Sequence, residues 1–171
     1  MPANYLEQLI AEWYEYQGYF VRRNVLVGRR PKGGYECELD IVAFHPGRRH
    51  LIHIEPSMDA DSWAIREKRY QKKFDAGRKY IRTIFQDVQL PDTVEQIAVL
   101  VFASKANHER VGGGRLVLVD EILEDIFREF KGKHLASNAI PEHLTILRTC
   151  QFVAEYRSAV LRGLDERLPG T

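Results

Sequence analysis

Apolar residues recur along this chain with two different periods, and the alternation between them predicts an order of helices and strands. Leu6, Leu9, Ile10, Trp13 and Tyr14 repeat at three and four residues, which predicts a helix from Asn4, a capping residue, to about Tyr16. Gly18 ends it, and Tyr19 to Val27 reads as a strand. After a loop, Gly28 to Gly34, two apolar runs flank a Pro-Gly turn: Glu38 to Phe44 and Leu51 to Ser57, a hairpin. The helical period returns in Trp63, Tyr70, Phe74, Gly77, Ile81 and Ile84, predicting a long helix that Asp61 or Ser62 caps and that ends near Phe85.

Ile97 to Ala103 is a continuous apolar run, the pattern of a buried strand, and the helix before it implies parallel pairing with its neighbour. Gly112-Gly113-Gly114 marks a turn into a strand from Arg115 to Val119, and Asp120 is placed to cap a helix from Glu121 to Phe130. Leu144 to Leu147 reads as a short strand, and Phe152, Val153, Tyr156, Val160 and Leu164 give Cys150 to Leu164 a helical spacing. The fold class is α/β, a central mixed sheet flanked by helices.

The hairpin strands carry acids among apolar neighbours. Asp40 sits in the first and Glu55 in the second. Strand side chains alternate faces, so Asp40 shares a face with Glu38, and Glu55 shares one with His53 and Ser57. Antiparallel pairing then lets the two carboxylates converge at one end of the sheet. Buried carboxylates require compensation, and a divalent cation held by both compensates them while supplying a Lewis acid for phosphate chemistry. The bland alternative is an acid in water at a sheet edge. His53 fits either a ligand or a hydrogen-bonded strand histidine.

Composition sharpens this only a little. With 171 residues the chain suits one domain, a core of about residues 4–131 with a C-terminal extension over 132–171. Its two cysteines, Cys37 and Cys150, have no zinc or disulfide spacing and read as free thiols. No stretch is long and apolar enough for a membrane span, and Met1 to Tyr5 lacks the regions of a signal peptide, so a cytoplasmic location is expected. The net charge of +1 conceals eight basic side chains between Arg66 and Arg82, against Glu67 and Asp75. Arg29, Arg30 and Lys32 form a second basic group in the loop before the hairpin, fit either to grip nucleic-acid phosphates or to solubilise the loop.

A helix carrying Glu7, a strand carrying Asp40 and an adjacent strand ending in Glu55 resemble the core of the PD-(D/E)XK nuclease superfamily, the restriction-endonuclease-like fold, over roughly residues 4 to 105. The resemblance implies a DNA endonuclease in which Asp40, Glu55 and the Pro56 carbonyl hold magnesium or manganese. It also implies an additional acid, Glu7, for a second metal or its water. The superfamily carries a lysine two residues after the second acid. Here that position is Ser57, and Leu39 replaces the proline before Asp40.

Some members supply the lysine from the following helix. At about 100° per residue, Arg66 and Lys73 lie on one shoulder of the long helix, and Gln71, Glu67 and Arg78 on the other. Lys73 or Arg66 could thus reach inward from one side and Gln71 from the other, with Arg66 also a candidate for nucleic-acid contact. The resemblance suits a homodimer on duplex DNA, with the C-terminal segment as its interface. The alternative keeps the fold without catalysis, as a nucleic-acid-binding or protein-interaction module.

Overall fold

The computed structural model describes residues 4–86 and 88–165. They form two compact units, residues up to Ile122 and residues from Leu123 onward. In the first, helix α1 (Tyr5–Tyr16) precedes strands β1 (Phe20–Arg29), β2 (Tyr35–His45) and β3 (His50–Ser57), then helix α2 (Trp63–Ile84) and strands β4 (Glu95–Leu100), β5 (Arg110–Val111) and β6 (Gly114–Leu118). The sheet order is β1-β2-β3-β4-β6-β5. The first three strands are antiparallel neighbours, β3–β4 and β4–β6 are parallel, and β5–β6 is antiparallel. The fold is therefore α/β with a six-stranded mixed sheet flanked by helices, and α2 is the connection that lets β3 and β4 run parallel.

Asn4 caps α1, its side chain accepting from the Leu6 and Glu7 amides, and the Leu6, Leu9, Ile10 and Trp13 stripe is buried. Ser62 occupies the cap position of α2 but makes no side-chain cap bond. On α2, Tyr70, Phe74, Gly77 and Ile81 are buried as their spacing predicts, and Arg66 joins them. Val42, Phe44 and Leu51 pack with Ile81. Ile41, Ala43, Ile52 and Ile54 are also fully buried, and strand alternation puts them on the opposite face.

One departure from alternation matters for the site. Val25, Val27 and Leu39 belong to the same cluster as Val42 and Phe44, although Leu39 and Val42 are an odd number of residues apart. The register pairs Arg23 with Ile41 and Val25 with Leu39, which leaves Asn24 opposite Asp40. Asn24 has φ +51°, left-handed backbone that asparagine tolerates better than most residues. The β1–β2 ribbon turns over at this rung.

Gly112 and Gly113, both at positive φ, form the two-residue turn between β5 and β6. Helix α3 (Val119–Glu129) begins before Asp120, which therefore lies inside the first turn and is not the cap. Glu121 instead reaches back, its carboxylate accepting from the Leu118 amide at 2.7 Å. The second unit continues with a short 3₁₀ turn (Leu135–Ser137), α4 (Thr145–Glu155) and α5 (Arg157–Asp165). The strand expected over Leu144–Leu147 is absent, because the buried Leu144, Leu147 and Gln151 form one stripe at helical spacing and α4 starts at Thr145. Among the described residues, neither Cys37 nor Cys150 is in a disulfide, and no helix is long and apolar enough to cross a membrane.

Candidate functional site

The hairpin register sets the two acids against each other. Ile41 pairs with Ile54, so the next rung places Asp40 opposite Glu55. The Asp40 amide donates to Glu55 Oε1 at 3.1 Å. Lys73, from the middle of α2, closes the group: its Nζ lies 2.6 Å from Asp40 Oδ1 and 2.8 Å from Glu55 Oε2. Glu55 keeps 3 % of its side chain exposed, Asp40 18 % and Lys73 23 %. These three share a cavity of about 300 Å³ with Glu7, Pro56, Ser57, Arg69 and Tyr70.

Two acids on one ammonium leave an excess of negative charge. Burial, followed by the charge of Glu55, pushes the Asp40 carboxyl from 3.8 up to about 7, with Lys73 offsetting only part of it. Burial works against the charged form of Lys73, but the Glu55 and Asp40 carboxylates outweigh it and hold the ammonium protonated. Glu7 is raised as well, by burial and then by Asp40, although Asn4 Nδ2 donates to its Oε1 at 2.6 Å.

Between pH 3.8 and about 7 the folded protein holds a proton on Asp40 that the unfolded chain has released, so stability falls as pH rises through that window and levels off above it. The full effect is at most about 4 kcal/mol. Urea unfolding of the metal-free Asp40→Asn protein at pH 5 and pH 8 should lack this part of the slope and leave the variant more stable than the parent at pH 8. An unchanged slope would mean that Asp40 titrates normally.

Glu55 is held from behind. His53 Nε2 stands 2.7 Å from Glu55 Oε1, Gln96 Nε2 donates to the Phe74 carbonyl at 2.8 Å and approaches His53 Nδ1 at 3.3 Å, and Gln96 Oε1 accepts from Arg78. With Nδ1 facing a donor, Nε2 carries the hydrogen toward the carboxylate. Burial drives the imidazole down to about 3, so the ring is neutral and acts as a hydrogen-bond donor. Gly77 makes the room: a Cβ there would lie 2.2 Å from His53 Nδ1.

Ser57 is engaged in a separate polar group. Its hydroxyl donates to Asp59 Oδ2 at 3.1 Å and accepts from Arg69 Nη2 at 2.9 Å, while Arg69 Nη1 contacts Asp59 and Asp61 at 2.6 and 2.9 Å. Sequence reasoning passed over Arg69, although it lies one turn before Lys73 on the same helix.

Arg66 and Lys73 occupy one shoulder of α2 but separate in depth. Arg66 is 3 % exposed and donates to the Asp59 and Phe102 carbonyls, so its guanidinium ties the loop before α2 to the loop after β4 and does not line the cavity. Gln71 and Lys72 are exposed and line a different groove. Arg29, Arg30 and Lys32 are exposed at the tip of the β1–β2 hairpin, with Arg30 and Gly34 closing the turn. Asp40 is about 17 Å of strand from Tyr35, where that tip begins.

Hard oxygen donors in a negative, partly buried cavity fit a divalent cation of the magnesium or manganese class, and such a charge would relieve the strain on the Asp40 carboxyl. Asp40, Glu55 and the Pro56 carbonyl are the candidates to hold it, with Glu7 on the same wall. Among the described residues no three His, Cys, Asp or Glu side chains converge into a ready metal cage. Magnesium commonly takes one or two carboxylates and keeps several waters. Comparison with family models, with curated proteins and with solved structures found no match.

Proposed function

We propose that this chain is a nuclease of the PD-(D/E)XK type, with the restriction-endonuclease-like fold, that hydrolyses DNA phosphodiester bonds with magnesium or manganese. One observation carries the reading: Asp40 and Glu55 face each other on neighbouring strands, bridged by Lys73 from the following helix at 2.6 and 2.8 Å. The helix-strand-hairpin-helix order of α1 to α2, and a parallel β4 after it, also support it.

A bound divalent cation supplies Lewis acidity toward phosphate and a more acidic water. Asp40, Glu55 and the Pro56 carbonyl would hold it. His53 and the Asp40 amide fix Glu55 Oε1, leaving Oε2 toward Lys73. Lys73 carries the positive charge that Ser57 lacks, and its ammonium would stabilise charge developing on the phosphate. Glu7, held by Asn4, offers a further acceptor on the cavity wall for a water.

A second reading, an inactive nucleic-acid-binding or protein-interaction module, draws on the same ion pair, since Lys73 already satisfies both acids without a cation. Plasmid DNA separates the two. Nicking or linearisation in Mg²⁺ or Mn²⁺ that EDTA stops is expected of the enzyme. Salt-sensitive DNA binding with no cleavage in either metal would favour the module.

A further inference from the structure

Tyr70 is 2 % exposed and lines the cavity that holds the acids and Lys73. Its ring has an evident place in the core, packed on Phe74 with centroids 5.7 Å apart. Its hydroxyl does not. The oxygen is buried with no hydrogen-bond partner, an arrangement that phenylalanine in the same space would avoid. Burial pushes the phenol up to about 12 against the positive charge of Arg69, so at neutral pH the hydroxyl keeps its proton.

Its surroundings are short of acceptors of the right kind. The Arg69 guanidinium carbon lies 5.4 Å from the ring centroid, and the Ser57 oxygen already accepts from Arg69 Nη2 at 2.9 Å and from the Asp59 amide at 3.1 Å. Arg69 itself is occupied by Asp59 and Asp61, and the Asp59 side chain is 62 % exposed. An exposed ion pair of this sort is weak and exchanges readily for another oxyanion.

We propose that Tyr70, Arg69 and Ser57 form an anion subsite for a phosphate group, in which Arg69 releases Asp59 and phosphate oxygens accept from Tyr70 Oη and the guanidinium. That the phosphate belongs to a DNA backbone rests on the nuclease reading; the subsite itself does not. It would place a second cation, besides Lys73, where the serine replaces the expected lysine.

The test is titration of the full chain with inorganic phosphate at constant ionic strength, followed by backbone amide NMR and by thermal unfolding. Tyr70→Phe should keep its fold and its melting temperature yet bind phosphate about tenfold more weakly, the size of one lost hydrogen bond. Asp59→Asn, which leaves Asp61 as the one carboxylate paired with Arg69, should bind it severalfold more tightly. Equal phosphate affinity in wild type and Tyr70→Phe, or none in the wild type at millimolar phosphate, overturns the subsite. Phosphate binding that Tyr70→Phe weakens, without DNA cleavage in Mg²⁺ or Mn²⁺, supports the subsite and counts against the nuclease. Cleavage alongside equal phosphate affinities overturns the subsite alone.

Discussion

DNA cleavage by the Asp40→Ala and Glu55→Ala proteins should fall by about a thousandfold or more, because each substitution removes one of the two carboxylates that would hold the cation and position its water. The two variants should differ in stability, which separates loss of chemistry from loss of fold. Asp40→Ala removes the surplus negative charge and leaves Lys73 with Glu55 at 2.8 Å, so its urea midpoint near neutral pH should stay close to the parent's or rise. Glu55→Ala strips the acceptor from the His53 Nε2 hydrogen and from the Asp40 amide, both buried or nearly so, and leaves Lys73 with one acid. It should lose about 2–3 kcal/mol. Retained cleavage in a folded Glu55→Ala protein would remove the carboxylate pair from the chemistry.

Lys73→Met gives the second large effect, and metal reverses part of it. The variant leaves two acids facing each other across one rung with no cation between them, which should lower the stability of the metal-free protein by about 3 kcal/mol at pH 8. Without Lys73 the Asp40 carboxyl rises further than in the parent, where it stands at about 7, so the loss should shrink as the pH falls toward 7 and level off below it. Added Mg²⁺ should raise the melting temperature of Lys73→Met more than that of the parent, where the ion must first displace the ammonium. On the proposed nuclease reading, cleavage should still drop by about a hundredfold with metal present, because the ammonium would be the positive charge closest to both acids. A metal-free Lys73→Met protein as stable as the parent would show that the three-way contact is not formed in solution.

Much of this arrangement can be read from residue order because it depends on short-range periodicities. Two strands joined by a tight turn bring Asp40 opposite Glu55 once the turn is located, and helical phase puts Lys73 on a shoulder of α2. The same phase puts Arg66 there too, and nothing in the periodicity separates them. What does is depth: Arg66 meets the Asp59 and Phe102 carbonyls, contacts made by loops whose path no local pattern encodes. The Ser57–Asp59–Arg69 group escaped for a related reason, since it depends on how the chain leaves β3 before α2 begins. Leu144–Leu147 misled because four residues are too few to tell a strand from the first turn of a helix.

The reversal at Asn24 and Asp40 divides the β1–β2 ribbon into a near part, whose inward residues follow one parity, and a far part that follows the other. The pairing keeps one register across this rung, while the Asp40–Glu55 rung is set on the other side of β2, by its pairing with β3. The tip from Arg30 to Gly34 could be lengthened, shortened or exchanged for another basic sequence while the Asp40–Glu55 rung stays in place. Natural or engineered change at the exposed tip would then be separable from change in the cavity.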